Sequence, residues 1–203
     1  MNQQKELRWL LAAGALAAIS CSTPRTHYYM LEFPHIQPVA AQAAPRSVAV
    51  QRFQAEQVFT DDRVAYREGV NEVNHYEYHR WASPPEDLVT NYFVHRLKDS
   101  GAYGEISAYK DGRPADFILR GRIHHFEEVD RGKEVSVSVD LELELLNGKT
   151  RESVWRSEAD CSKPLATRDV NGVTQGIHAC LDETAAKLLG AMQTQVAKAG
   201  RSD

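Results

Sequence analysis

The stretch Val135–Leu145, "VSVSVDLELEL", alternates apolar and polar residues without a break. Successive side chains of a β-strand point to opposite faces, so this alternation predicts a strand with one face on a core and the other in water. Asn147 and Gly148 follow it, and we interpret them as a two-residue hairpin turn of type I′. The partner strand would then be 150–159, which makes this region an antiparallel hairpin.

Other segments with period-two alternation or aromatic enrichment predict additional strands. The segment 61–81 contains two such runs around "EGVN" and predicts a second hairpin. The remaining predicted strands are 26–33, 47–53, 102–109 and 116–129.

Two segments have helical periodicity, at about 84–99 and 170–197. We expect Ser83 to be the N-cap of the first helix and Gly101 to end it in a left-handed conformation. Strands, helix, strands and helix follow one another, and hairpins join most of the strands. The predicted fold is a single α+β domain, residues 27–198, with a mostly antiparallel sheet and two main helices packed on it.

The N-terminus has the parts of a secretory signal peptide, residues 1–20. Lys5 and Arg8 precede twelve uncharged residues, "WLLAAGALAAIS". Twelve helical residues rise about 18 Å, which is too short for a hydrocarbon core of roughly 30 Å. The sequence therefore favours a cleaved signal over a spanning helix.

The residues "AISC" before and at Cys21 resemble a bacterial lipobox, in which the cysteine becomes the lipidated first residue. Residues 21–26 would then form a lipidated tether. Ala18 departs from the pattern, which prefers leucine there, so an ordinary cleaved signal with an unmodified Cys21 is the alternative. Ser22 instead of aspartate favours the outer membrane, by resemblance to the sorting rules of diderm bacteria.

Composition excludes some classes of function. The chain has 203 residues and a formal net charge of −4, with 42% hydrophobic residues, which suits one globular domain. Without a basic stripe, we expect no nucleic-acid partner. In an oxidising compartment, Cys161 and Cys180 are candidates for a disulfide across a loop of about 20 residues, worth roughly 3 kcal/mol. Two buried free thiols are the alternative.

No pattern in the sequence indicates catalysis, and we predict neither an enzyme nor a cofactor. His75, Glu77 and His79 would share one face of a strand, but they would extend over about 13 Å, too far to surround one ion unaided. His124 or His125 could supply a further ligand, yet an exposed strand face explains these residues better. "NGKT" lacks the earlier glycine of a phosphate-binding loop, and there is no Gly-x-Ser-x-Gly motif.

The segment "RVAYREGVNEVNHYEYHRWASPPEDLV", followed by "LKDSGAYGEI", resembles the ABC-type transport auxiliary lipoproteins. This family comprises small lipoproteins encoded beside MCE (mammalian cell entry) lipid transport systems, including a paraquat-inducible membrane-integrity group. The resemblance covers essentially the whole mature chain, and Ala18 is its main departure. The matching pieces are Tyr66-Arg67, Tyr76, Tyr78, Arg80-Trp81-Ala82, Pro84-Pro85 and the strand "YYML" at 28–31.

The resemblance implies a non-enzymatic accessory role. Cys21 would anchor the protein in the outer membrane, and the periplasmic domain would dock an MCE-domain protein, with permease and ATPase as separate chains. Candidate partner-interface residues are Tyr66, Arg67, Tyr76, Tyr78 and Trp81.

Two alternatives stay open at this stage. One is another outer-membrane accessory lipoprotein, in lipopolysaccharide or cell-wall assembly. The other is a periplasmic metal-dependent enzyme that uses His75 and His79. The sequence does not indicate an oligomeric state.

Overall fold

The computed structural model describes residues 24–32 and 44–199. The predicted signal peptide and Cys21 lie outside this range. Within it, neither helix contains a stretch that is long and apolar enough to cross a membrane.

The described residues form one α+β domain of nine strands and two main helices, with a short 3-10 turn at Gln57–Phe59. The predicted fold class, with two helices on a sheet, is confirmed. In chain order, the elements are β1 (His27–Tyr29), β2 (Ala44–Val50), β3 (Gln54–Ala55), β4 (Arg63–Glu68), β5 (Glu72–Trp81), α1 (Pro85–Asp99), β6 (Tyr103–Ala108), β7 (Phe117–Arg131), β8 (Glu134–Asn147), β9 (Ser153–Pro164) and α2 (Val170–Ala199).

The sheet is mixed. Its two longest ladders, β7–β8 and β8–β9, are antiparallel, and so is the hairpin β4–β5. The other edge of β7 pairs with β2, β3 and β4 in turn, all in parallel. Two further parallel pairs, β1–β5 and β2–β6, complete it. The predicted antiparallel hairpins are therefore present, and parallel pairs between strands distant in sequence join them.

The core lies between one face of this sheet and the helices. On β8, the alternate residues Val135 to Leu145 are at most 6% exposed. They face the apolar stripe of α2, whose residues Val173, Ile177 and Leu181 are fully buried. Each large side chain buried in this way stabilises the fold by about 1.5–3 kcal/mol. We call this helix-covered side the inner face and the opposite side the outer face.

The structure corrects the expected start of α1. Pro84, not Ser83, is the N-cap, and no side chain caps the helix. Pro84 has φ −52° and ψ 145°, an extended conformation, and Pro85 then occupies the first turn, where its missing N–H costs nothing. Gly101 ends the helix at φ 60°, as predicted.

The predicted type I′ turn at Asn147–Gly148 is also wrong. The Asn147 N–H donates to the Glu152 carbonyl at 2.9 Å, so the connection is the four-residue loop 148–151. Its left-handed residue is Arg151, at φ 65°. Glycine is needed at 148 for a different reason: a Cβ there would lie 1.8 Å from the Ala115 carbonyl oxygen.

A disulfide joins Cys161 of β9 to Cys180 of α2, with their Cα atoms 5.3 Å apart. Both cysteines are at most 5% exposed. The bond thus connects the last strand to the helix that covers the sheet. The predicted pairing is sterically compatible with this fold, because the separation falls in the usual bridging range.

Replacing both Cys161 and Cys180 by alanine should lower the free energy of unfolding by about 3 kcal/mol, because the open chain regains loop entropy. Urea unfolding of the purified domain, followed by circular dichroism, measures this change. Reducing the wild-type protein should give a comparable loss. If reduction leaves the unfolding midpoint unchanged, the two cysteines are free thiols.

Candidate functional site

Side-chain rings on β1, β4 and β5 form an aromatic cluster on the inner face. The rings of Tyr66 and Tyr76 lie 4.8 Å apart, and His79 stacks on Tyr29 at 5.8 Å. Trp81 completes the cluster, with its ring 6.5 Å from that of Tyr29. It also joins the cluster to the main core through Phe126, whose ring is 5.3 Å away. Aromatic pairs at these separations contribute about 0.5–1.5 kcal/mol each beyond their burial.

An irregularity in β5 creates this cluster. Ala65 pairs with His75, whereas Arg63, two residues earlier, pairs with Arg80. A regular ladder would pair Arg63 with residue 77, so β5 accommodates three extra residues, as in a large bulge. This insertion changes which side chains share a face.

His75 and His79 consequently lie on opposite faces of the sheet. The Nε2 atom of His75 lies 2.9 Å from the carbonyl oxygen of Val58 on the outer face. The ring of His79 packs against Tyr29 and Tyr76 on the inner face. The prediction that His75, Glu77 and His79 share one face is therefore wrong, because the bulge interrupts the period of two.

Buried polar groups accept or donate hydrogen bonds inside the cluster. The Tyr76 hydroxyl donates to Oε2 of Glu128 at 2.7 Å. Burial, and then this carboxylate, raises the pKa of Tyr76 well above its usual value. Burial also raises the pKa of Glu128, which is only 4% exposed, although the Tyr76 hydrogen bond opposes this rise. Tyr76 thus remains a neutral donor.

A second hydrogen bond holds β1 to β5. The Tyr29 hydroxyl lies 2.8 Å from Nδ1 of His79. Burial raises the pKa of Tyr29 and lowers that of His79, and the neighbouring His27 lowers the pKa of His79 further. Both groups are therefore uncharged near neutral pH.

The five predicted interface residues do not form one surface. Trp81 is 1% exposed and belongs to the core. Tyr66 and Tyr76 are partly exposed at the margin of the cluster. Tyr78 is partly exposed beside the Glu77 carboxylate, which raises the pKa of its hydroxyl. Among the five residues, the tyrosines are the aromatic side chains that a partner could reach, and of these Tyr66 and Tyr76 contact each other.

Arg67 lies on the outer face. Its Nε and Nη2 atoms are both 2.9 Å from Oε1 of Glu127, a residue that is 1% exposed. Nδ1 of His125 lies 2.9 Å from the same oxygen. Oε2 of Glu127 is buried and has no hydrogen-bond partner among the described side chains. The positive charge of Arg67 thus compensates the negative charge of the buried Glu127 carboxylate.

A groove of about 560 Å³ lies beside the aromatic cluster, at the start of α2. Arg25, His27 and Tyr28 of the N-terminal segment line one side, and residues 169–171 line the other. Asp169 is occupied with α2, since its Oδ1 accepts the Gly172 N–H at 2.9 Å.

Within the described ranges, no three His, Cys, Asp or Glu side chains could hold one metal ion. His124 and His125 instead lie near carboxylates, 3.7 Å from Glu56 and 2.9 Å from Glu127. The side chains of the aromatic cluster pack against one another and form hydrogen bonds.

Sequence reasoning missed three members of this site: Tyr29, His79 as a packing residue, and Glu128. Tyr29 had a signal, because the alternation in "THYYMLEF" places every second residue on one face. Glu128 had none, since it lies 52 residues from its hydrogen-bond partner.

Solved structures identify the class of fold. A Xanthomonas campestris protein of the family DUF330 superposes with a TM-score of 0.76 at 18% identity, over 86% of this chain and 99% of its own. An uncharacterized protein superposes with a TM-score of 0.67 at 14% identity, over 83% of this chain and 99% of its own. A hypothetical protein from Chlamydia trachomatis superposes with a TM-score of 0.54 at 11% identity, over 75% of this chain and 98% of its own. The domain therefore has the fold of these small α+β proteins. No curated protein matches the chain.

The model of the ABC-type transport auxiliary lipoprotein component family matches residues 29–188. This match covers most of the chain, including the aromatic cluster, α1 and the larger part of α2. The chain belongs to this family, as its sequence features predicted.

Proposed function

We propose that this protein is a non-enzymatic accessory lipoprotein of an MCE-type intermembrane lipid transport system. It is anchored in the outer membrane and docks the periplasmic MCE component, while separate chains supply the permease and ATPase. The observation that carries the proposal is the family match over residues 29–188, which assigns an auxiliary role in ABC-type transport.

The anchor in this proposal is Cys21. It follows an apolar segment of signal-peptide length and stands at the lipobox-like "AISC". A single acyl chain binds membranes only marginally, so stable anchoring requires the several chains that a bacterial lipoprotein carries. Ser22 favours sorting to the outer membrane.

The docking residues in this proposal are the partly exposed tyrosines Tyr66, Tyr76 and Tyr78. Tyrosine is enriched in interface hot spots because it combines a large apolar ring with a hydroxyl. Contacts within the aromatic cluster hold the rings of Tyr66 and Tyr76 in place. Trp81 contributes to docking only by supporting that position.

Affinity capture from detergent-solubilised envelopes tests the proposal. The wild-type protein should recover an MCE-domain protein. Tyr78→Ala should reduce recovery by about fivefold or more, the effect of losing a contact worth over 1 kcal/mol. Tyr109→Ala is the matched control, because this tyrosine follows β6, at the opposite end of the strand order from β1. Its recovery should stay at the wild-type level.

Different outcomes contradict different parts of this proposal. Repeated capture of lipopolysaccharide or cell-wall assembly proteins in place of an MCE protein would overturn the function. Equal recovery by Tyr78→Ala would overturn only the docking surface. Cys21→Ser should move the protein to the soluble periplasmic fraction, and unchanged membrane fractionation would overturn the anchor.

A further inference from the structure

Exposed apolar side chains are concentrated next to the first described strand. Tyr28 is 67% exposed and Met30 is 74% exposed. The other large hydrophobic side chain with high exposure in the described residues is Val70, at 83%, in the turn between β4 and β5. Scattered single residues such as Val70 need no explanation, but two neighbours on one short segment do.

The β1 strand presents its two faces to different surroundings. Tyr29 points inward and packs on His79 and Trp81. Tyr28, one residue earlier, therefore points the opposite way. Among the described strands, β1 is also the last at its end of the sheet, where it pairs with β5. Tyr28 and Met30 are consequently accessible to a large flat partner.

The position of Cys21 in the chain identifies that partner. Arg25 is four residues from Cys21, and Tyr28 is seven. Fully extended chain spans at most about 3.6 Å per residue, so Arg25 lies within about 14 Å of Cys21 and Tyr28 within about 25 Å. A lipidated Cys21 lies in the headgroup layer, which keeps this segment at the bilayer surface.

The residue types suit a membrane interface. Tyrosine is enriched at the headgroup level, where its ring is apolar and its hydroxyl is hydrated. Exposed Arg25 can contact lipid phosphates, and Met30 adds apolar surface. Glu32, also exposed, is the nearest acidic residue along the chain.

We propose that Tyr28 and Met30, with Arg25 beside them, form a membrane-contact surface that seats the domain on the bilayer carrying its lipid anchor. This inference rests on the proposed acylation of Cys21. It fixes an orientation, because the β1 edge faces the membrane and the β4–β5 turn points away. Tyr28 is level with Arg63 across β5, and Val70 lies seven residues beyond Arg63, about 23 Å away at a strand's rise of roughly 3.3 Å per residue.

Quenching by brominated lipids tests this orientation. The lipoprotein is purified from membranes, the acyl mass on Cys21 is checked by mass spectrometry, and the protein is reconstituted in phosphatidylcholine–phosphatidylglycerol vesicles. Tyr28→Trp and Val70→Trp each add one fluorophore at an exposed position, and the parent signal of the native tryptophans is subtracted. Bromine on the acyl chains should quench the added fluorescence of Tyr28→Trp at least about twofold more strongly than that of Val70→Trp.

Each outcome separates the surface from the anchor. An acylated Cys21 with equal quenching at both positions would overturn the membrane-contact surface and leave the anchor intact. An unmodified Cys21 would overturn the anchor, and the orientation with it. Met30→Trp is a second probe in case Tyr28→Trp perturbs β1, and it should also be quenched more than Val70→Trp.

Discussion

Arg67→Ala should lower the free energy of unfolding by about 3–5 kcal/mol, the usual cost of removing one partner from a buried ion pair. Arg67 contacts Oε1 of Glu127 through two nitrogen atoms at 2.9 Å, and Glu127 is 1% exposed. Without the guanidinium, a carboxylate stays in the interior with only the partly exposed His125 near it. Leaving a buried charge without its partner is costly, because the interior solvates it far less well than water does.

The matched control for this prediction is Arg113→Ala. Arg113 pairs with Glu105 at 2.6 Å, but both side chains are 55% exposed. Solvent screens such a pair, and its removal should cost less than about 1 kcal/mol. Urea unfolding of both variants gives the comparison. Equal losses would show that Glu127 is not an obligate charge in the folded state.

The position of Glu127 could not be predicted from the sequence. It lies 60 residues from Arg67, and the two meet because β4 pairs with β7 in parallel. Hairpin signals report only pairing between strands that are neighbours in sequence. The parallel pairs, which bring distant segments together, leave no comparable local pattern.

Local patterns predicted the rest of the fold well. Alternation in β8 identified the buried face because burial follows a period of two from Val135 to Leu143. The helical periods of α1 and α2 were equally regular. The failures occur at the bulge in β5, in the loop 148–151 and at the N-cap of α1.

The bulge in β5 decides the candidate site. A regular β5 would place His75 and His79 on the same face, about 13 Å apart. The extra residues instead turn His79 inward with Tyr29 and Trp81, and His75 outward to the Val58 carbonyl. The segment whose sequence resembles the family therefore has a structural role, because β5 pairs with the N-terminal strand β1 on one edge and with β4 on the other.

Trp81→Ala should cost about 3–5 kcal/mol of stability, the range for truncating a buried tryptophan, because the removed indole leaves a cavity. It should also release β1, since Trp81 pairs with Tyr29 in the ladder and contacts its ring. Hydrogen exchange should then show faster exchange for residues 27–29 at denaturant concentrations where the domain remains folded.

Trp81→Phe is the control that separates packing from recognition. Phenylalanine keeps an aromatic contact with Phe126 and should recover much of the lost stability. If Trp81 acts only inside the core, Trp81→Phe should also capture the MCE partner at the wild-type level. A stable Trp81→Phe protein that loses its partner would contradict this, and would place Trp81 in the interface after a conformational change that exposes it.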